Sequence, residues 1–419
     1  MLKIRKPLPD SARTLPAILA GTAFIGALAM APGSANAVPE LATLITQGKT
    51  ELAWRYRFEF VDQDAFDRDA KASTLRTRLA FDSGEVMNLS FRIEVDDIRE
   101  VIWRDFNAGG GNTPDRSLYP VVADVKGTEI NQGYINFQAA QGLDIRFGRQ
   151  RILLDNQRFV GAVGWRQNEQ TFDAVAVNLQ NGPIRAHYSY IDRVNRIFGE
   201  QVADGRHDQD GTHLLNLSLQ VGDIGRLATY FYWIDNADAP ATSTRTAGLR
   251  WEGKQAFHNM RADYALEYAW QEDVGDNPVS YSADYFHVSG SVNRGAVTAG
   301  LGFEQLGGDA DDPGEAFRTP LATLHAFNGR TDKFLTTPDA GLRDAYLRKR
   351  MAINNKTVEA RFHHFSTADG GDGLGREWSL AFGRSFGPHI TTELILADFR
   401  GRNGFDDTRK IWLMVGASF

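Results

Sequence analysis

The sequence of 419 residues contains no cysteine, which excludes disulfide bonds and is compatible with export through an oxidising compartment. After the N-terminal segment, no apolar run reaches the roughly 20 residues that a membrane-spanning helix requires. No break in composition, charge block or low-complexity tract divides the chain into separate domains. The mean hydropathy of −0.35 is average to polar, as expected for a barrel whose strands carry a polar side chain at every second position.

Recognisable catalytic and metal-binding motifs are also missing. The chain has no His-Glu-x-x-His segment and no other metal-ligand spacing, so we predict no metal and no cofactor. His363 and His364 are adjacent on a predicted strand and must face opposite sides. The acidic stretch from Asp309 to Glu315 lacks the spacing of an EF-hand, which favours a solvated loop over a calcium site. An enzyme is therefore disfavoured, although a hydrolase at the rim of a barrel remains an open alternative.

The N-terminus has the features of a secretory signal peptide. Four Lys or Arg residues precede an apolar stretch of small residues, and Ala35-Asn36-Ala37 matches a cleavage site. We therefore predict a signal peptide at residues 1–37, with a single membrane anchor helix as the alternative. Removing four basic groups and one acidic group would change the net charge from −7 to −10. A net acidic export product is not expected to bind nucleic acid.

Residues 38–419 form a succession of segments in which apolar and polar side chains alternate. The first segment shows the pattern best, with Leu52, Trp54, Tyr56, Phe58 and Phe60 on one face and Glu51, Arg55, Arg57 and Glu59 on the other. Successive side chains of a strand point to opposite faces of the sheet. Nothing else in the sequence could cover so much apolar surface, so we infer that this face contacts lipid.

The alternation predicts eighteen strands, at residues 50–60, 73–82, 86–97, 128–139, 142–151, 170–180, 183–192, 212–221, 224–234, 244–252, 258–271, 280–291, 295–305, 341–350, 356–366, 375–385, 389–399 and 409–419. Tight turns such as Asn181-Gly182-Pro183 follow the even-numbered strands, and longer loops follow the odd-numbered ones. Bacterial outer-membrane barrels have short periplasmic turns and long external loops. The sequence therefore predicts an all-β fold, a closed antiparallel transmembrane β-barrel in the outer membrane of a Gram-negative bacterium.

The barrel must close, because an unpaired strand edge in hydrocarbon would leave backbone groups without hydrogen bonds at a cost of several kcal/mol each. We therefore expect the first strand to pair with the last. Aromatic residues on the outward parity, such as Trp54, Tyr188 and Trp378, would form the girdles at the membrane interfaces. Ordinary cross-strand pairing in a soluble sheet is the alternative. Outer-membrane lipid is then one expected partner, and the barrel-assembly machinery, through the C-terminal Phe419, is another.

The opposite parity faces the lumen and is rich in arginine. The first three strands carry Arg55, Arg57, Arg76, Arg78 and Arg92, and later inward candidates are Glu94, Asp144, Arg146 and Arg361. Rings of arginine in a pore select for anions, and guanidinium groups bind carboxylates in a bidentate manner. The alternative is a structural ladder in which these arginines pair with Glu51, Glu59, Glu94 and Asp96. For the cluster as a whole, we favour a role in solute passage.

Three stretches resemble the alginate export family of outer-membrane porins: Leu143-Asp144-Ile145-Arg146-Phe147-Gly148-Arg149-Gln150, then Phe159-Val160-Gly161 with Trp165-Arg166, then residues 319–334 (TPLATLHAFNGRTDKF). The resemblance covers most of the mature chain. It implies an eighteen-stranded barrel that passes a polyuronate through an arginine-lined constriction with the help of long loops. It also implies lumen roles for Arg76, Arg78, Arg92, Arg146, Arg149 and Arg151.

We therefore predict a passive channel for an anionic or polar solute or oligosaccharide, with uronate-type saccharides as one candidate. The alternatives are a specific uptake porin for apolar or aromatic compounds, which would need an apolar internal plug or a lateral opening, and a purely structural or adhesive barrel. The N-terminal segment 38–49 is too short to form such a plug. Loop 306–340 combines three prolines with several apolar residues. We expect it either to fold into the barrel mouth and narrow it or to cover its own apolar cluster outside the mouth.

Overall fold

The computed structural model describes residues 37–419, so the predicted signal peptide lies almost entirely outside the described residues. The described part contains one α-helix, α1 (Ala37–Thr46), and eighteen strands. The strands are β1 (Lys49–Gln63), β2 (Ala70–Asp82), β3 (Leu89–Asp105), β4 (Gly127–Ala140), β5 (Leu143–Gln150), β6 (Thr171–Asn181), β7 (Ile184–Asn195), β8 (Arg206–Val221), β9 (Gly225–Ile234), β10 (Thr244–Phe257), β11 (Met260–Asp273), β12 (Ser282–Arg294), β13 (Val297–Leu306), β14 (Leu342–Ile353), β15 (Lys356–Ser366), β16 (Gly373–Phe386), β17 (Ile390–Gly401) and β18 (Thr408–Ser418). Each of the eighteen predicted strands overlaps one of these.

The sheet closes on itself as predicted. Every strand is antiparallel to its neighbours in sequence, and β1 also pairs with β18. The closing ladder runs from Ala53 opposite Ser418 to Gln63 opposite Thr408. Phe419 extends it by exchanging two backbone hydrogen bonds with Leu52. The fold is therefore a closed barrel with no free strand edge among its eighteen strands, which is the arrangement that hydrocarbon requires.

The connections alternate in length. Those after even-numbered strands span two to six residues, and those after odd-numbered strands span six to 35 residues. In the two-residue turn between β14 and β15, Asn354 has a φ of +52°, which is the left-handed conformation that tight hairpins need and that asparagine tolerates. The barrel therefore has a short-turn end and a long-loop end, the arrangement typical of outer-membrane barrels.

The outer face of the barrel carries large apolar side chains. Leu79, Leu249, Leu301 and Leu347 are each more than half exposed and point away from the lumen. Side chains of the opposite parity include buried charged groups, of which Arg57 is completely inaccessible. A band of exposed apolar residues around polar inward positions is the pattern of a lipid-facing barrel.

Alternation is least clear in the predicted strand 128–139, and a β-bulge explains why. The register between β3 and β4 shifts at Asn131, which has no partner of its own. Ile130 points outward and is 54% exposed, whereas Asn131 and Gln132 are both buried. Beyond the bulge, Ile135 points outward, so the outward parity changes from even to odd numbers. A bulge inserts one residue into the ladder and has this consequence for the alternation.

Helix α1 lies at the short-turn end and was not predicted. Its C-terminal turn contacts the β2–β3 connection, where the Gly84 N–H donates to the Leu44 carbonyl at 2.8 Å. Among residues 37–419, no helix is long and apolar enough to cross a membrane. The interior of the barrel is occupied by two long loops and not by this N-terminal segment.

Candidate functional site

Two external loops fold into the barrel and contact each other there. We call the β5–β6 loop (151–170) and the β13–β14 loop (307–341) together the plug. The Gly161 N–H donates to the Leu321 carbonyl at 2.9 Å. A Cβ atom at Gly161 would lie 2.2 Å from Oγ1 of Thr323. The loops can approach this closely because residue 161 is a glycine.

A group of buried charges ties the plug to the wall, and we call it the latch. Asp332 of the plug lies 3.1 Å from Arg166 of the other loop, 3.1 Å from Lys410 of β18 and 2.6 Å from His325. Arg166 also reaches Glu59 of β1 at 3.0 Å. Burial alone would raise the pKa of Asp332, but His325, Lys410 and Arg166 hold that pKa well below its usual value. The latch therefore joins both loops and both closing strands through ionised groups.

A second set of polar contacts holds the plug on β13 and β16 of the wall. Arg158 is 2% exposed and lies 2.7 Å from Glu304 of β13. Asn328 donates to the same carboxylate at 2.6 Å. Thr331 donates its backbone N–H and its hydroxyl to Glu377 of β16, at 3.0 and 2.6 Å. Both loops are thus bound to inward carboxylates, which supply the partners that buried polar groups need.

Aromatic rings stack between the latch and the wall. Trp165 lies parallel to His325, with 4.1 Å between the ring centroids, and meets Trp412 edge-on at 5.9 Å. The guanidinium of Arg57 lies 4.5 Å from the centroid of Trp165. Trp412 is fully buried and faces inward. This contact explains why a tryptophan occupies the polar parity of the last strand.

The remaining interior of the plug is apolar. Phe159 of one loop packs against Phe317 of the other, with ring centroids 5.9 Å apart, and against Tyr230 and Tyr285 of the wall at 5.2 Å each. Phe317 is completely buried. Of the two alternatives for the loop that the sequence predicted at 306–340, folding into the barrel is therefore confirmed. The N-terminal segment 38–49 was predicted to be too short for a plug, and the plug is formed by these two loops.

Four of the five arginines predicted on the first three strands are paired with carboxylates. Arg57 lies 2.8 Å from Glu59, and Arg92 lies 2.6 Å from Glu94. Arg57 is also 3.0 Å from Asp124 of the β3–β4 loop. These contacts match the structural-ladder alternative, although Glu51 is not among the partners.

Glu169 of the plug forms ion pairs with Arg76 and Arg78 of this cluster. Arg78 lies 3.0 Å and Arg76 lies 3.4 Å from its carboxylate, and Arg151 donates to it as well. Burial would raise the pKa of Glu169, but Arg78, Arg151 and Arg76 lower that pKa to about 2. The cluster that the sequence predicts for solute passage therefore serves largely to fix the plug.

Arg55 is the fifth member of the cluster and differs from the others. Its guanidinium donates to the side-chain oxygen of Gln167 at 2.9 Å and to the backbone carbonyls of Gly164 and Arg166. Within the described residues 37–419, no carboxylate lies within 4 Å of it. Its positive charge is therefore not neutralised by an ion pair.

Arg146 on β5 is a second inward arginine without a carboxylate partner among the described residues. It donates to the side-chain oxygen of Asn136 at 3.2 Å and lies 5.3 Å from the ring centroid of Tyr134. Asp144, on the same strand, accepts a weak hydrogen bond of 3.4 Å from Asn136 and has no cation within 4 Å in the part of the chain that the structure describes. Neither charge is therefore neutralised by an ion pair there.

Three further guanidinium groups share one carboxylate. Arg361 of β15 lies 2.7 Å from Glu359, while Arg330 of the plug and Arg348 of β14 each lie 2.9 Å from it. One negative charge cannot neutralise three positive ones, so this part of the wall carries an excess of positive charge. The described residues therefore contain arginines that are paired with carboxylates, such as Arg57, arginines that share one carboxylate, such as Arg330, and the unpaired Arg55 and Arg146.

The sequence profile of a family described as alginate export matches residues 42–309, which is more than half of the chain. The chain belongs to the alginate export family. The resemblance predicted from the sequence is thereby confirmed. No curated protein sequence matches the chain.

Solved structures agree with this family on the fold. The barrel is similar to OccK9 (OpdG) of Pseudomonas aeruginosa, with a TM-score of 0.71, 15% identity and coverage of 90% of this chain and 99% of that chain. It is similar to OccK1 (OpdK) of the same organism, with a TM-score of 0.69, 16% identity and coverage of 89% and 99%. It is also similar to OccAB4 of Acinetobacter baumannii, with a TM-score of 0.68, 13% identity and coverage of 88% of this chain and 98% of that chain. This alginate export family member is thus an outer-membrane channel protein of the Gram-negative type, with a porin fold.

One predicted lumen residue of this family member lies elsewhere. Arg149 has the parity of Phe147, which points outward and is 53% exposed. Its guanidinium pairs with Asp173 of β6 at 2.8 Å and with Glu200 of the β7–β8 loop at 2.6 Å. Arg149 therefore belongs to the outer rim under an external loop. Its assignment to the lumen, which followed from the resemblance, is corrected by the alternation of the strand.

The acidic loop brings part of its carboxylates together. Ligand atoms of Asp309, Asp312 and Glu315 lie within 4.8 Å of one another, and the two aspartates are exposed. Exposed acidic groups of this kind are common on loops without a metal ion, and these three have the solvated position that the sequence predicts. His363 and His364 face opposite sides of β15, as predicted, with His363 buried at 2.9 Å from Asp344.

Of the β5–β6 loop, Arg151 was predicted to be a site residue, whereas its other contacts were not predicted. Inward wall residues are contacted by Arg158, Trp165, Arg166, Gln167 and Glu169. The available signal was the resemblance of Phe159-Val160-Gly161 and Trp165-Arg166 to the family, because a polar run such as Arg166 to Gln170 is equally typical of a surface loop. The apolar residues of loop 306–340 indicated that it could fold into the barrel mouth. The β5–β6 loop, in contrast, is held on the wall mainly by ion pairs.

Proposed function

We propose that the protein is a passive outer-membrane channel for anionic or polar solutes, with uronate-type saccharides as the finer candidate class. The observation that supports this most directly is Arg146, an inward guanidinium whose only side-chain acceptor is the neutral amide of Asn136. The shared carboxylate of Glu359, surrounded by three arginines, points in the same direction. In this proposal, outer-membrane lipid surrounds the barrel, and the barrel-assembly machinery recognises the end at Phe419.

The mechanism is electrostatic. An unpaired guanidinium can replace part of the water shell of a carboxylate, and its planar donors match the two carboxylate oxygens. Carboxylates interleaved along the wall, such as Asp144, keep the attraction weak enough for release, which conduction requires. The plug narrows the lumen and brings a passing solute close to these groups.

The test is ion selectivity in planar bilayers for the variant Arg146→Gln. One unit charge acting over about 7 Å in water attracts an anion by about 0.6 kcal/mol and repels a cation by the same amount. The ratio of their permeabilities therefore changes by about 1.2 kcal/mol, which is roughly eightfold. We expect the ratio of anion to cation permeability, taken from the reversal potential in a salt gradient, to fall by up to this factor. Arg99→Gln is the matched control, because Arg99 is 64% exposed and already paired with Asp97 at 2.6 Å.

An unchanged reversal potential in Arg146→Gln and in the double variant Arg146→Gln/Arg361→Gln would refute the anionic part of the proposal. Charge reversal at Arg76 and Arg78 is a less specific experiment. Both side chains bind Glu169 of the plug, so their loss would release the plug as well as change the charge of the lumen.

The other functions considered from the sequence have less support. OpdK, a structural neighbour at 17% identity, has been solved with vanillate, an aromatic carboxylate that would suit an uptake channel for aromatic compounds. In the present chain, however, the aromatic residues around Phe159 pack against each other in the plug. For a rim hydrolase, the histidines offer little, because His325 is stacked on Trp165 and bonded to Asp332 inside the barrel.

A further inference from the structure

A chamber of about 470 Å³ lies between the plug and the short-turn end of the barrel. Its lining includes Arg55 of β1, Glu393 of β17, Trp165 of the plug and Met414 of β18. We propose that this chamber is a binding subsite for small zwitterions, compounds such as α-amino acids that carry one carboxylate and one ammonium group. The proposal rests on the channel function proposed above and names a solute class for it.

Two inward side chains of the chamber, the cation Arg55 and the anion Glu393, lack oppositely charged partners within 4 Å among the described residues 37–419. Arg384 also lines the chamber but is exposed on the outward parity of β16. Arg55 donates to Gln167 and to two backbone carbonyls. The single N–H of its Nε is used in these bonds, whereas Nη1 and Nη2 each carry a second N–H. The carboxylate of Glu393 has no hydrogen-bond partner among the described residues. The site therefore offers donors for a carboxylate and acceptors for an ammonium group.

The nearest cations do not contact the carboxylate of Glu393. Arg330 and Arg361 act on it electrostatically, but among the described residues neither lies within 4 Å of it, and both contact Glu359, at 2.9 and 2.7 Å. In the chamber, a purely anionic solute would leave Glu393 without a partner, and a purely cationic one would leave Arg55 without one. Discrimination of this kind arises from the unmatched contact that the wrong ligand must make. A zwitterion is the one class that satisfies both groups.

The wall beside Glu393 is kept open by a small residue. Gly383 lies directly opposite Glu393 in the β16–β17 register, and a Cβ atom there would lie 2.5 Å from Oγ1 of Thr357. A larger residue would therefore reduce the space next to the carboxylate. The indole of Trp165 and the thioether of Met414 add apolar surface for the remainder of a solute. A volume of this size is in the range of small-molecule sites.

The test uses three probes with the same three-carbon skeleton that differ in charge: serine, glycerate and serinol (2-amino-1,3-propanediol). Each is added to single channels in planar bilayers at constant ionic strength, and the concentration that halves the current is measured. We expect serine to block the unmodified channel at a concentration at least tenfold lower than the other two. Glu393→Gln should raise the half-blocking concentration of serine about tenfold and leave that of glycerate unchanged or lower. Arg55→Gln should raise the half-blocking concentrations of both serine and glycerate.

Glu85→Gln is the matched control, because Glu85 is an exposed carboxylate in the β2–β3 turn outside the chamber, and it should leave all three values unchanged. Heat-modifiable migration in gels verifies that each variant still forms the barrel. If Glu393→Gln affects serine and glycerate equally, or affects neither, the zwitterion subsite is overturned. In that case a reversal potential that still responds to Arg146→Gln would leave the channel function intact, so the two failures are distinguishable.

Discussion

Replacing Asp332 by asparagine would remove the central negative charge of the latch while keeping the shape of the side chain. In the protein, this carboxylate lies 3.1 Å from both Arg166 and Lys410. After the substitution, Glu59 would be the one carboxylate within 4 Å of those two cations among residues 37–419, at 3.0 and 3.7 Å. All four side chains are at most 8% exposed, so water cannot easily replace the lost charge.

The size of the effect follows from this burial. Removing one partner of a buried ion pair typically costs about 3–5 kcal/mol, because the other partner is left buried and unpaired. The substitution destabilises the conformation in which the plug is bound to the wall, because the contacts that it breaks exist only in that conformation. Each 1.4 kcal/mol is a factor of ten, so a loss of about 3 kcal/mol would increase the relative weight of unlatched conformations by roughly 150-fold.

Single-channel recording measures this directly. We expect Asp332→Asn to show frequent transitions to a higher conductance that are rare in the unmodified channel. Asp311→Asn is the control, because Asp311 lies in the same loop but is exposed and binds no wall residue. A variant at position 332 with the same conductance and the same gating frequency as the control would refute the reasoning that charge holds the plug.

Two further predictions concern the plug as a whole. Deleting residues 308–336 removes Phe317, Thr331 and Asp332 and should raise the single-channel conductance, whereas an unchanged conductance would mean that the loop does not narrow the path. The second prediction concerns acid pH. A carboxylate whose pKa is lowered on folding stabilises the folded protein fully at a pH above its ordinary pKa of about 4.3. This stabilisation is lost as the pH falls from there towards the pKa of the folded protein. Because the pKa of Glu169 is about 2 and that of Asp332 is also lowered, we expect current noise to be constant from pH 8 to 5 and to rise only below about pH 4. A rise near pH 6 would contradict this.

The barrel itself could be predicted almost completely, because its determinants are local. A strand repeats every two residues, so Trp54, Tyr56 and Phe58 reveal their common face without any knowledge of the rest of the chain. Closure then follows from the cost of a free edge in lipid. Where the alternation failed, as around Asn131, a bulge had changed the parity, and a bulge has no simple sequence signature.

The chemistry of the lumen could be predicted only in part, because its contacts join distant parts of the chain. Parity placed Arg57 and Arg78 inside the barrel correctly. It could not show that Arg55 meets Gln167, 112 residues away, or that Arg158 meets Glu304, 146 residues away. These contacts depend on how two long loops fold in three dimensions, and a loop has no periodicity from which its direction could be read.

The distribution of charge pairs indicates where water enters the lumen. A guanidinium that is removed from water must be paired, because leaving it unpaired costs several kcal/mol. Arg57 lies under the plug, Arg166 is part of it, and each contacts two carboxylates. Arg146 on β5 and Arg185 on β7 have no carboxylate within 4 Å among the described residues, and Arg185 is exposed. A guanidinium without an ion-pair partner is tolerated only in contact with water. We therefore expect the water-filled part of the lumen to lie along β5 and β7. A solute that is attracted by arginine would then meet these two side chains and not the paired cluster on β1 to β3.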